Sequence, residues 1–203
     1  YAHLLGERVG KELEISGYFY ETAAKSAQRK NLADVRAGEY EGLAKKIVDA
    51  KWKPDFGPAT FNARSGATVI GARNFLVAYN VNLNTTSTRR ANAIAFDVRE
   101  QGRMQTDASE KNVLDKNVKP IRIPGTLKSV KAIGWFIEEY GVAQISMNLT
   151  DVTVTKVHEA FDEVCDKATA RGIRVTGSEL VGLIPLQSLI DAGKYFLKKQ
   201  QRS

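Results

Sequence analysis

The segment Asn74–Asn84 reads N-F-L-V-A-Y-N-V-N-L-N. Phe75, Val77, Tyr79, Val81 and Leu83 share one face, and Leu76, Ala78, Asn80 and Asn82 the other. A period of two is a strand period; a helix cannot place these apolar residues on one stripe. One face is wholly apolar and the other turns polar along its length, as expected of a sheet with one covered face. Thr85, Thr86, Ser87 and Thr88 then offer cap side chains to a helix, Arg89–Gln101, with Ala91, Ile94, Ala95 and Val98 inward and Gly102 as its stop. Val130–Ile137 and Val142–Asp151 form a hairpin around Glu138–Gly141. In its second strand Ala143, Ile145, Met147 and Leu149 oppose Gln144, Ser146 and Asn148.

A helix follows at Thr155–Arg171, with Val157, Ala160, Phe161, Val164, Cys165 and Ala168 inward and Gly172 closing it. Ile173–Val175 and Glu179–Leu183 have strand character. Pro185 opens a last helix whose apolar face is Leu186, Leu189, Ile190 and Phe196. The order β-α-β-β-α-β-α predicts an α+β, ferredoxin-like unit with an added terminal helix and all helices on one sheet face. Asn80, Asn82, Gln144, Ser146 and Asn148 fall on the other face. They form either a solvated surface or one wall of a cleft shared with the preceding domain. Residues 103–129, polar and basic, are expected to form a mobile excursion.

The first quarter offers less. Residues 2–13 read as an amphipathic helix, 15–20 as a strand, 21–31 as a loop or loose helix, and 32–50 as one further helix. One strand and two helices cannot close a core. Residues 1–52 are therefore expected to be the tail of a domain whose first part precedes Tyr1. Between the two halves lies Lys53–Gly71, K-P-D-F-G-P-A-T-F-N-A-R-S-G-A-T-V-I-G. Stiff at its prolines and permissive at its glycines, it has the makings of a ligand-gripping loop or of an interdomain connector.

With 43% hydrophobic and 26% charged residues the chain is expected to fold. Its apolar runs fall far short of the roughly 20 residues of a membrane span. A single cysteine, Cys165, allows no internal disulfide and fits a reducing, cytoplasmic setting. The net charge of +7 is spread among acids without interleaved aromatics, so no nucleic-acid partner is expected. There is no G-x-G-x-x-G, Walker loop or H-E-x-x-H, and no metal set. The two histidines are His3, at the chain edge, and His158, read as a surface or cap residue. Asp55 reads as a turn-forming side chain. Arg99 and Arg103 are either a carboxylate clamp or solvated helix-end cations.

P-D-F-G-P at 54–58, S-G-A-T-V-I-G-A-R-N-F-L-V-A-Y-N-V-N-L at 65–83, R-E-Q-G-R at 99–103, I-G-W-F-I-E-E-Y-G-V-A-Q-I-S-M-N-L-T-D at 133–151 and G-S-E-L-V-G-L-I-P-L at 177–186 together resemble glutamate formimidoyltransferase, the formiminotransferase part of formiminotransferase-cyclodeaminase. R-A-G-E-Y-E at 36–41 is similar to that family too. The resemblance implies two α/β-sandwich subdomains around a folate tunnel: residues 1–74 as the end of the first, only partly present, and 75–203 as the ferredoxin-like second. It implies transfer of the formimino group of N-formimino-L-glutamate to tetrahydrofolate, the co-substrate, in histidine degradation. It also implies a cytoplasmic homodimer with no nucleic-acid or membrane partner. A glutamate formyltransferase, or a folate- or small-molecule-binding module without catalysis, are the alternatives.

The family's folate-binding segment maps onto Gly57, Pro58, Ala59, Thr60, Phe61, Asn62, Ala63, Arg64, Ser65 and Gly66, with Phe61 expected against a folate ring and the Gly57 and Gly66 N–H groups toward its polar edges. The family's catalytic histidine lies in an H-P-R-M-like motif, which this sequence lacks; it is expected before Tyr1. No catalytic residue is assigned.

Overall fold

Ser16–Glu21 (β1) and Ala67–Ala72 (β2) pair in parallel, from Ser16 opposite Ala67 to Glu21 opposite Ala72. The second half of the Lys53–Gly71 stretch is thus a strand rather than loop, which corrects the expectation of one strand in the first quarter. A-T-V-I-G-A lacks the alternation that exposes an antiparallel strand in a sequence, as parallel strands commonly do. The computed structural model describes residues 1–109, 111–116 and 118–201, so Glu110 and Asn117 of the expected excursion lie outside the described residues. The chain divides into two compact units, Tyr1–Arg73 and Asn74–Ser203.

In the first unit α1 (Ala2–Glu12) packs on β1 and β2. A small aromatic core forms where Phe19 meets Phe56, ring centroids 5.0 Å apart. The expected single helix at 32–50 is two: α2 (Leu32–Arg36) and α3 (Glu39–Lys46). Gly38 breaks it at φ +89°, a conformation side chains resist, and Glu39 follows at φ +45°. Lys46 closes α2, donating from Nζ to the carbonyls of Val35 at 2.5 Å and Ala37 at 3.0 Å.

The second unit contains β3 (Val77–Leu83), α4 (Thr88–Val98), the short β4 (Arg103–Met104) and β5 (Arg122–Ile123), β6 (Val130–Ile137), β7 (Val142–Leu149), α5 (Val157–Thr169), β8 (Val175–Val181) and α6 (Leu186–Lys199). The main sheet runs β6-β7-β3-β8 and is antiparallel throughout. That order, with the first strand central, is the ferredoxin-like one the alternation predicts. Val77, Val81, Leu83, Ile145 and Leu149 are buried against Ala91, Ile94 and Val98 of α4 and Ala160 and Val164 of α5. Phe196 of α6 meets Phe161 of α5 edge-on, centroids 6.0 Å apart.

Two expectations change here. Ile173–Val175 and Glu179–Leu183 are not separate strands: β8 is continuous, with one register irregularity opposite Asn82 and Leu83. Residues 103–129 are not a structureless excursion. β4 pairs with β5, and bridges join Thr106 to Asn112 and Leu114 to Pro120. No helix among the described residues is long and apolar enough to cross a membrane.

Candidate functional site

The segment from Gly57 to Gly66 is held at its root and at its tip. At the root Phe56 is buried, and its carbonyl accepts the Gly17 N–H at 3.0 Å. Ser16 Oγ donates to the Pro58 carbonyl. Gly57 stands at φ +74°, and a Cβ there would lie 2.2 Å from the Ile15 carbonyl oxygen, so only glycine lets the chain pass the start of β1 this closely. At the tip Asn62 Oδ1 accepts the N–H groups of Arg64 at 2.9 Å and Ser65 at 3.3 Å. The Asn62 carbonyl accepts the Gly66 N–H at 2.8 Å. The side chain makes an Asx turn, and the backbone carbonyl takes the Gly66 N–H, which corrects its expected availability to a ligand.

Tyr40 of α3 fastens the tip to the helix. Its hydroxyl donates to the Ala63 carbonyl at 2.7 Å, and its ring lies 5.6 Å from that of Phe61. Thr60, Phe61 and Arg64 remain exposed. The Arg64 guanidinium has no hydrogen-bond or ion-pair partner among the described residues. Beside the segment's end opens a cavity of about 280 Å³, lined by Arg36, Glu39, Tyr40, Lys46, Ser65 and Gly66 among others. The R-A-G-E-Y-E motif and the 57–66 segment thus meet at one place. Tyr40 and Lys46 were not among the expected site residues, because nothing in the sequence pairs α3 with a loop some twenty positions on. Lys46 is a structural cation: its carbonyl contacts and the Trp52 ring, 4.0 Å away, hold it, and burial, then Arg29, lowers its pKa.

Asp55 is no local turn-former. Its side chain, 4% exposed, pairs with Arg29 at 2.6 Å, and its Oδ2 accepts the Phe19 N–H at 2.9 Å. Of the two readings of Arg99 and Arg103, a carboxylate clamp is not what they form together. Arg99 donates from Nε to the Gly102 carbonyl at 2.8 Å and lies on the Phe96 ring, while Arg103 pairs with Asp97 at 3.3 Å. His158 is buried rather than on the surface, stacked on Tyr195 at 4.4 Å. His3 Nε2 lies 2.9 Å from the Ala23 carbonyl oxygen.

The second unit carries its own polar constellation, on the sheet face turned away from α4 and α5. Register places Asn82 beside Gln144 and Asn80 beside Ser146 and Glu179. Gln144 is fully buried. Its Oε1 accepts the Trp135 indole N–H at 2.8 Å. Its Nε2 donates to Asn82 Oδ1 at 2.7 Å and to Glu179 Oε2 at 3.2 Å. Asn80 Nδ2 donates to the same oxygen at 3.3 Å. Of the amides and hydroxyls expected on this face, Asn80, Asn82 and Gln144 are knit together; Asn148 is exposed and Ser146 half-buried. Trp135 and Glu179 were missed because register, which the sequence does not contain, brings them to Gln144.

The formiminotransferase domain family model matches residues 78–203, and that of the domain's N-terminal subdomain matches residues 1–73. A formimidoyltransferase-cyclodeaminase of Sus scrofa is 44% identical over 199 residues, covering 98% of this chain and 34% of that protein. The Gallus gallus protein of the same name is 43% identical over 200 residues, with the same two coverages. A glutamate formimidoyltransferase of Thermoplasma acidophilum is 39% identical over 196 residues, 96% of this chain and 57% of that protein. The chain therefore spans about a third of the animal relatives and a little over half of the archaeal one. With family models covering nearly its whole length, the chain belongs to the formiminotransferase family.

Proposed function

We propose that the chain serves in glutamate formimidoyl transfer, moving the formimino group of N-formimino-L-glutamate to a nitrogen of tetrahydrofolate. The observation that carries this is the exposed Phe61 beside the unpaired Arg64 on a segment pinned by its own hydrogen bonds. A preorganised loop loses little freedom on binding. Phe61 packs on the pterin or benzoate ring, and Arg64 takes a folate carboxylate through paired N–H donors. Membership of the family supports the assignment of residues 57–66 to folate.

In the reaction the folate nitrogen attacks the amidine carbon and a C–N bond forms. The tetrahedral intermediate breaks its bond to the glutamate nitrogen. The proton lost by the folate nitrogen leaves with the glutamate amine. Holding both substrates in register supplies much of the acceleration. Neither His3 nor His158 sits in an H-P-R-M-like motif, and neither is assigned the proton transfers. The single cysteine fits a reducing compartment such as the cytoplasm, where we place the reaction, and the homodimer that the family resemblance implies is taken as the working assembly.

Titrating the chain with tetrahydrofolate tests this. The Phe61→Ala, Arg64→Ala double variant is expected to bind about tenfold to a hundredfold more weakly, the combined effect of one aromatic contact and one charge-assisted pair. Unchanged affinity would remove the segment from the folate site. Folate binding with no transfer of formimino or formyl groups would favour a binding module.

A further inference from the structure

The second unit's polar face is built around one carboxylate. Glu179 Oε2 is fixed by two amide donors, Asn80 Nδ2 and Gln144 Nε2, both on buried residues. Gln144 is itself oriented by the Trp135 indole and by Asn82, so the carboxylate has little freedom to turn. Glu179 Oε1 has no partner among the described residues. The Asn80 Oδ1 acceptor beside it is also without one. Also on this face are the half-buried Ser146, opposite both Asn80 and Ile133, and Ala78, Val181, Ile133 and Trp135, with Lys131 at the far end opposite Asn148. Ile133 and Trp135 are 53% and 41% exposed. A flat apolar and aromatic surface with one oriented anionic oxygen and one neutral acceptor matches a small planar cation that carries N–H groups on two nitrogens of one carbon. It does not match a second carboxylate, and a neutral carbonyl in the same place would set an acceptor against the Glu179 oxygen, leaving only the Ser146 hydroxyl to donate to it.

We propose that Glu179, held by Asn80 and Gln144, is the residue that selects a formamidine over a formamide, by accepting N–H groups of the protonated amidine. The assignment rests on the formimidoyl-transfer reading and adds its specificity element. A formamidine is a cation at neutral pH; a formamide is not. A charge-assisted hydrogen bond is roughly twice as strong as a neutral one, and the wrong isostere leaves the carboxylate facing a carbonyl. Holding the amidine protonated also keeps its carbon electrophilic for attack.

The test is calorimetric titration of the 203-residue chain and its Glu179→Gln variant with N-formimino-L-glutamate, N-formyl-L-glutamate and tetrahydrofolate, with circular dichroism to check the fold. The chain is expected to bind the formimino compound about tenfold or more tightly than the formyl compound. Glu179→Gln should erase that preference and leave tetrahydrofolate affinity in place. A preference that survives in Glu179→Gln, or no preference in the unmodified chain, overturns the proposal. So does loss of tetrahydrofolate affinity with the preference intact, which would assign the carboxylate to the amidine-like edge of the pterin. If the unmodified chain binds no tetrahydrofolate, the transfer reading fails instead. A variant without the unmodified chain's dichroism is replaced by Asn80→Ala, which frees the carboxylate to turn and is expected to reduce the preference; an unchanged preference there also overturns the proposal.

Discussion

Asp55 shows how one side chain can carry a unit. It takes the Arg29 guanidinium and the Phe19 N–H from below the 57–66 segment, in a position 4% open to water. Arg29 also donates to the Lys51 and Lys53 carbonyls and lies against Tyr18 and Trp52. Removing the carboxylate leaves a buried guanidinium without its counter-charge. Asp55→Ala is therefore expected to destabilise the first unit by about 3–5 kcal/mol, the usual effect of breaking one side of a buried pair. Urea unfolding followed by circular dichroism would measure it, and a loss below 1 kcal/mol would mean that the pair is screened. P-D-F-G-P has the residues of a turn, but the partner of Asp55 is 26 residues away and nothing local announces it. His158 is similar: Lys156 and Glu159 beside it have the look of a surface, while Tyr195 and Phe196 of α6 pack against its ring.

At the scale of elements, the break between α2 and α3 is a backbone decision made by Gly38. Helix propensity favours alanine over glycine by about 1 kcal/mol, so a plain helix over 32–50 would gain from Gly38→Ala. At φ +89° the sign reverses, and the substitution is expected to destabilise by roughly 1 kcal/mol. A rise in thermal midpoint would show that the two helices can merge. The elements that were legible share one property, a one-sided burial pattern. β3, β7, α4 and α5 each have an apolar stripe with the right period, and the ferredoxin-like order followed from them. β2 has no such stripe, the β4–β5 pair is two residues long on each side, and α2–α3 is split by a single dihedral. In the candidate site the amides Asn80, Asn82 and Gln144 were legible by alternation. Glu179, Trp135 and Tyr40 were not, because each arrives from an element whose register or docking is set in three dimensions.

At the scale of the whole molecule, each unit buries one phenol, and the two set a common alkaline limit. Tyr18 in the first unit is 2% exposed and donates to the Trp52 carbonyl at 2.7 Å. Burial raises its pKa above 10.0; Arg29 opposes this and Asp55 adds to it. Tyr79 in the second unit is 8% exposed, and burial again raises its pKa, against a Ser178 hydrogen bond and with the Cys165 thiol. For both, the folded protein holds its proton more tightly than the unfolded chain. Their contribution to stability is complete below about pH 10 and is lost as pH rises through the raised values. Lys46 acts in the opposite direction, since burial lowers its pKa and deprotonation favours the folded state. One partly exposed ammonium counts for less than two buried phenols, so the net slope is downward. The urea midpoint is expected to fall steadily above pH 10 in the unmodified chain and less steeply in Tyr18→Phe and Tyr79→Phe, each of which removes one ionisation. The share of phenolate absorbance that comes from the two buried tyrosines should appear only with the loss of dichroism. Full ionisation of all seven tyrosines in a protein that keeps its dichroism would refute the account.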